Sequence, residues 1–192
     1  ERVKKVKKFE LTNEFITNMF GTKLFRIRAL VEFGDVEAGE LGGYVEKESN
    51  LGHDDNAWVY DNAWVYGNAR VYGDAQVSGD ARVYGNAWVY GNAWVYGNAW
   101  VYGNALVCSD EDYAYAHGFG SVNRTTTFFR LKDGGVGVRC GCFYGTLAQF
   151  RDKIRETHGE TKKAQEYLML ADLMELRFEE DENEVGNRKY VE

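Results

Sequence analysis

The chain has 192 residues, with 30 acidic against 23 basic side chains, a net charge of −7, 15% aromatic residues and no proline. That length suits one ordinary domain, or one elongated body with small flanking pieces. The negative balance argues against a nucleic-acid polymer or an anionic membrane as partner, no apolar run approaches a membrane span, and a soluble cytoplasmic protein is expected.

Taken in chain order, "RVKKVKK" reads as a solvated basic arm. Two extended segments follow near residues 8–11 and 23–33, expected to form a small sheet over the first turn of the next block. Residues 1–40 are read as this N-terminal cap.

From Ala57 to Cys108 the chain repeats A-x-V-x-G-[ND], with Asp61 standing once for Gly. The valines recur every six residues from Val59 to Val107, and each alanine precedes its valine by two. In an extended segment residues i and i+2 share a face, so Ala and Val point one way and both x residues the other. Gly supplies a corner, and Asn or Asp tolerates left-handed backbone there. Upstream, Val45, Ser49 and Leu51 carry an earlier, less regular coil, with "HDDN" inserting a two-residue slip. The block is read as residues 41–109. It resembles the hexapeptide-repeat family, which implies a left-handed parallel β-helix of about three regular coils and self-association as a trimer or a multiple of it.

Three repeats per coil stack residues eighteen apart. One face then carries Trp58/Tyr60, Gln76/Ser78 and Trp94/Tyr96, with a polar notch in the middle. A second carries Trp64/Tyr66, Arg82/Tyr84 and Trp100/Tyr102, and a third Arg70/Tyr72, Trp88/Tyr90 and Leu106/Cys108. All five tryptophans are expected to point away from the coil interior. Apolar surface on this scale marks partner or ligand sites. Arg82 between Trp64 and Trp100 reads either as a cation–π ladder or as a phosphate reader beside rings that stack on a base.

Residues 110–178 change style. "YAHGFGSVNRTTTFFR" gathers His117, Asn123, Arg124, Thr125 and Arg130 around two glycines, reading as an anion site or as a polar loop. "TTTFFRLKDGGVGVRC" reads as a hairpin turning at "KDGG". Two helices follow, one capped by Thr146 and ended by Gly159, the other from about Thr161 to Arg177. The acidic tail, 179–192, is expected to fray. Cys140 and Cys142 read as reduced thiols on a strand; no metal site and no cofactor is called for.

The fold class is therefore mainly β: a β-helix with an N-terminal β cap and a C-terminal hairpin plus two helices. Three functions compete. An acyltransferase would want a coil histidine, and none lies between Ala57 and Cys108. A structural or polymer-forming scaffold suits the regular repeat. The third is a non-catalytic binding protein. The aromatic block followed by "HGFGS", "NRTTTFFR" and "THG" resembles phage and gut-bacterial proteins that include nucleotide "sponges". That resemblance implies an oligomer that sequesters a small anionic nucleotide-derived signal of host defence, in the host cytoplasm if phage-encoded. Its ligand residues would be Arg124, Asn123, Thr125, His117 and Arg130, with Arg82, Trp64 and Trp100 on the coil.

Overall fold

A computed structural model describes residues 6–179. Strands β1 (Phe9–Thr17), β2 (Lys23–Ala29) and β3 (Leu41–Val45) form an antiparallel run, and β3 then pairs in parallel with the first repeats. The repeat itself forms β4 (Trp58–Val59), β5 (Trp64–Val65), β6 (Arg70–Val71), β7 (Gln76–Val77), β8 (Arg82–Val83), β9 (Trp88–Val89), β10 (Trp94–Val95), β11 (Trp100–Val101) and β12 (Leu106–Val107).

Each strand pairs in parallel with the one three repeats later, Trp58 with Gln76 and Gln76 with Trp94, so the eighteen-residue rule holds. Every repeat valine and alanine is buried, because alternation along a strand sends both to the interior. The corners need left-handed backbone, which glycine adopts without a Cβ clash. Gly67 has φ +66, and Asp61, the one non-glycine at an equivalent corner, φ +51. Tyr44 pairs with Trp64 and Leu51 with Val71, twenty residues apart instead of eighteen. The two-residue slip is thereby absorbed, and the coil has about four turns, the first irregular.

The N-terminal strands pack on the coil core through Phe9, Ile27 and Ala29. They extend one coil face into a six-stranded sheet of order β1-β2-β3-β5-β8-β11. Residues 1–5 of the predicted arm lie outside the described residues. Lys8, expected in solvent, is buried, and its Nζ donates to the carbonyls of Asp55 (2.8 Å) and Ala57 (2.7 Å). Burial pulls its pKa down to about 8. His53 stacks on Phe9 at 4.3 Å, so the slip segment is pinned from two sides. Trp58 keeps the outward direction expected of the tryptophans but is not exposed. It lies outside the coil interior, yet Phe9 and Phe33 cover it completely.

After β12 the chain builds a second antiparallel sheet: β13 (Tyr113–Phe119), β14 (Arg124–Arg130), β15 (Val136–Cys140) and β16 (Phe143–Thr146). Helices α1 (Leu147–His158) and α2 (Lys162–Phe178) pack on it, with Thr146 and Thr161 as N-caps. The expected hairpin is thus the middle of four strands. The "YAHGF" stretch, read as loop, is strand β13; its large/small alternation from Tyr113 pairs it with β14. Alternation along β14 splits the two phenylalanines. Phe129 joins the coil core, and Phe128 joins Phe150, Tyr167 and Ala171 under the helices. No described helix is long and apolar enough to cross a membrane.

Candidate functional site

Where β14 begins, the side chains of Arg124 and Thr126 point toward the helices, and those of Thr125 and Thr127 toward the other face. Thr127 Oγ1 accepts from the Trp100 amide at 3.0 Å, tying this sheet to the last turn of the coil. On the helix side, Arg124 lines a cleft of about 530 Å³ between the β13–β14 turn, the β15–β16 turn and both helices. Lys153 and His158 line it from α1, and Phe143, Phe150 and Tyr167 form much of its apolar wall.

Two glycines let the wall close this tightly. Gly141 turns between β15 and β16 at φ +59, and a Cβ there would stand 1.7 Å from Nη1 of Arg124. A Cβ on Gly120 would stand 2.3 Å from the Tyr167 hydroxyl. Behind Arg124, Thr126 Oγ1 donates to Cys140 Sγ at 3.2 Å, and that sulfur lies 3.9 Å from the Tyr167 hydroxyl. Burial, reinforced by Cys140, pushes the Tyr167 phenol up to about 12, so it stays protonated at neutral pH. His158 stacks on Tyr167 at 6.0 Å. None of the 13 residues lining the cleft is acidic, although the chain carries a net charge of −7. The combination of a guanidinium, an ammonium, an imidazole and flat aromatic walls suits an anion that carries a ring.

The candidate residues of the sequence scatter around this cleft. Arg124 enters it. Asn123 sits exposed at the turn with φ +50. His117 and Thr125 face each other across β13 and β14, Nδ1 to Oγ1 at 2.8 Å, outside the cleft lining. Arg130 does not present itself to a ligand: it is buried, its Nε donates to Asp112 Oδ1 at 3.1 Å, and its Nη2 reaches the Phe178 carbonyl. Lys153, His158 and Tyr167 were not anticipated. They lie far along the chain on helices; His158 falls within "THG", and no local motif marks Lys153 or Tyr167.

Arg82, Trp64 and Trp100 do come together, on the coil and away from Arg124. The Arg82 guanidinium lies 4.0 Å from the Trp64 ring and 4.7 Å from Trp100. Arg139 of β15 adds a further cation 5.1 Å from Trp100. Alongside, Tyr66 stacks on Tyr84 at 4.9 Å and Tyr84 on Tyr102 at 4.4 Å. The Arg82 guanidinium thus lies over two indoles, the arrangement of a cation–π ladder. The polar notch on the neighbouring face is closed as well, because Trp94 Nε1 donates to Ser78 Oγ at 2.7 Å.

The YdcK beta solenoid repeat matches residues 63–79, 75–91 and 87–103. Successive matches advance by twelve residues, two hexads at a time. The repeat block is a β-solenoid. No curated protein matches the chain. The β-solenoid therefore accounts for the aromatic faces, while the cleft belongs to the module built on its end.

Proposed function

We propose that this β-solenoid protein is a non-catalytic binding module that captures a small anionic ligand of the nucleotide class in the cleft beside Arg124. The observation that carries this reading is the cleft lining, in which Arg124 and His158 flank aromatic walls with no carboxylate among the lining residues, and Lys153 stands beside them paired to Glu156 at 2.9 Å. Phosphate oxygens would meet the guanidinium and ammonium, and a base would lie against Phe143, Phe150 or Tyr167. The reading takes the coil as left-handed and hexapeptide-type. Its biological setting is withdrawal of a nucleotide signal of host defence from circulation by a phage-type protein acting as an oligomer.

The test is thermal denaturation with a panel of cyclic dinucleotides, ADP-ribose, ATP and inorganic pyrophosphate. Free ligand at a hundred times Kd adds about 2.7 kcal/mol of stability. For a protein of this size that raises Tm by roughly 5–11 °C. At least one nucleotide should do so, and Arg124→Ala should cut the shift at the same ligand concentration to about half or less while leaving the unliganded Tm in place, since Arg124 is exposed. A panel in which no compound moves Tm removes the proposal.

A further inference from the structure

Helix α2 carries two apolar stripes, and the fold uses one of them. Ala164, Tyr167, Ala171, Met174 and Phe178 are buried. On the far side Met169, Leu173 and Leu176 are 71%, 56% and 67% exposed. At about 100° per residue these three centre roughly half a turn from the buried stripe. Their spacing is four residues and then three, the d–a–d rhythm of a coiled-coil seam that receives another helix knobs-into-holes. Packing among the described residues demands nothing apolar at these positions, and any helix former would hold α2 without the exposed surface.

The flanks say which helix fits. Beside this stripe Asp172 precedes the a position, Leu173, and Arg177 follows the second d position, Leu176. When two such helices run parallel, the residue before a on one faces the residue after the next d on the other. Asp172 of one copy then meets Arg177 of the second, and the two-fold repeats the pair. The Asp172 contact to Arg151 within the chain uses Oδ1, and the Arg177 contacts reach only main-chain carbonyls at 3.3 and 3.5 Å. At its N-terminal end the stripe stops at Glu166, which takes the next a position and pairs with Lys162 of its own helix.

We infer that α2 is a self-association seam, on which two copies of this chain pair about a two-fold axis with their α2 helices parallel. The contact is isologous, so each seam joins two copies, and a closed particle that uses every seam has an even number of them. It is independent of what the cleft binds.

Sedimentation velocity of the full chain, from low to high micromolar concentration, reads the proposal directly. The wild type should form a particle with an even number of copies, and Leu173→Glu should halve its mass without lowering the Tm of the separated unit. Asp172→Lys should weaken the association several-fold, and adding Arg177→Asp should restore it by reversing both charges. A monomer throughout the range, an odd copy number, or a Leu173→Glu variant of unchanged mass overturns the inference.

Discussion

Replacing Gly141 with alanine separates the shape of the cleft from the stability of the fold. The residue sits at φ +59, a left-handed conformation that costs a side-chain-bearing residue about 1–2 kcal/mol. The new Cβ would stand 1.7 Å from Nη1 and 2.8 Å from Cζ of Arg124, so something must shift. What it meets is the exposed end of a flexible side chain, and the guanidinium therefore swings away while the backbone stays. Stability should fall by the backbone term alone, a Tm loss of roughly 2–8 °C. Nucleotide affinity should fall much further. A charge-assisted hydrogen bond contributes about 1.5–3 kcal/mol, so moving Arg124 off its anion weakens binding on the order of ten- to a hundredfold. Gly134→Ala is the control: φ is +87 there, with nothing within 4 Å of the added Cβ. Isothermal calorimetry with whichever panel nucleotide stabilises the wild type gives the affinities. A Gly141→Ala protein that binds as tightly as Gly134→Ala would refute the placement of Arg124 as the anion contact.

Two further outcomes test the corrected roles. Arg130→Ala should cost about 3–5 kcal/mol in urea unfolding, because it removes the cation paired with the buried Asp112 carboxylate; a loss below about 1 kcal/mol would return Arg130 to the candidates for ligand binding. Burial holds the phenols of Tyr66, Tyr90 and Tyr167 up at about 12, against an ordinary value of 10.0. Their raised native pKa contributes stability that is complete below pH 10 and lost as pH climbs toward 12. Lys8, depressed to about 8 from 10.5, works the other way, adding stability between those two values. The urea midpoint should therefore drop steeply only above pH 10, while absorbance at 295 nm shows late-titrating tyrosines. Native phenols that all titrate near 10 would contradict their burial.

Within the repeat almost everything structural could be read in advance. Ala and Val at i and i+2 and Gly at the corner give a strand-and-corner unit of six; the resemblance to hexapeptide-repeat proteins implies three units per turn, and the resulting eighteen-residue offset places Arg82 between Trp64 and Trp100. The two-residue slip at "HDDN" was legible too, because Val45 and Leu51 keep the beat on its far side. Period-two alternation was equally present in "YAYAHGF", where Tyr113, Tyr115, His117 and Phe119 alternate with small residues. Two glycines and the polar run after them point as strongly to a loop.

The rest depended on contacts between distant segments. The sequence by itself determined the coil, because each residue of a solenoid interacts mainly with residues one turn away and the pattern repeats that relation openly. Tertiary structure alone decided which side chains are left to act. It turned Arg130 inward to Asp112, covered Trp58 with Phe9 and Phe33, and sealed the notch at Ser78 with Trp94. It also carried Lys153, His158 and Tyr167 from two helices to the side chain of Arg124. Local patterns of two or six residues specify how a chain folds beside itself. A cleft among a turn, a hairpin and two helices has no such period, and its chemistry becomes visible only once the packing has brought its walls together.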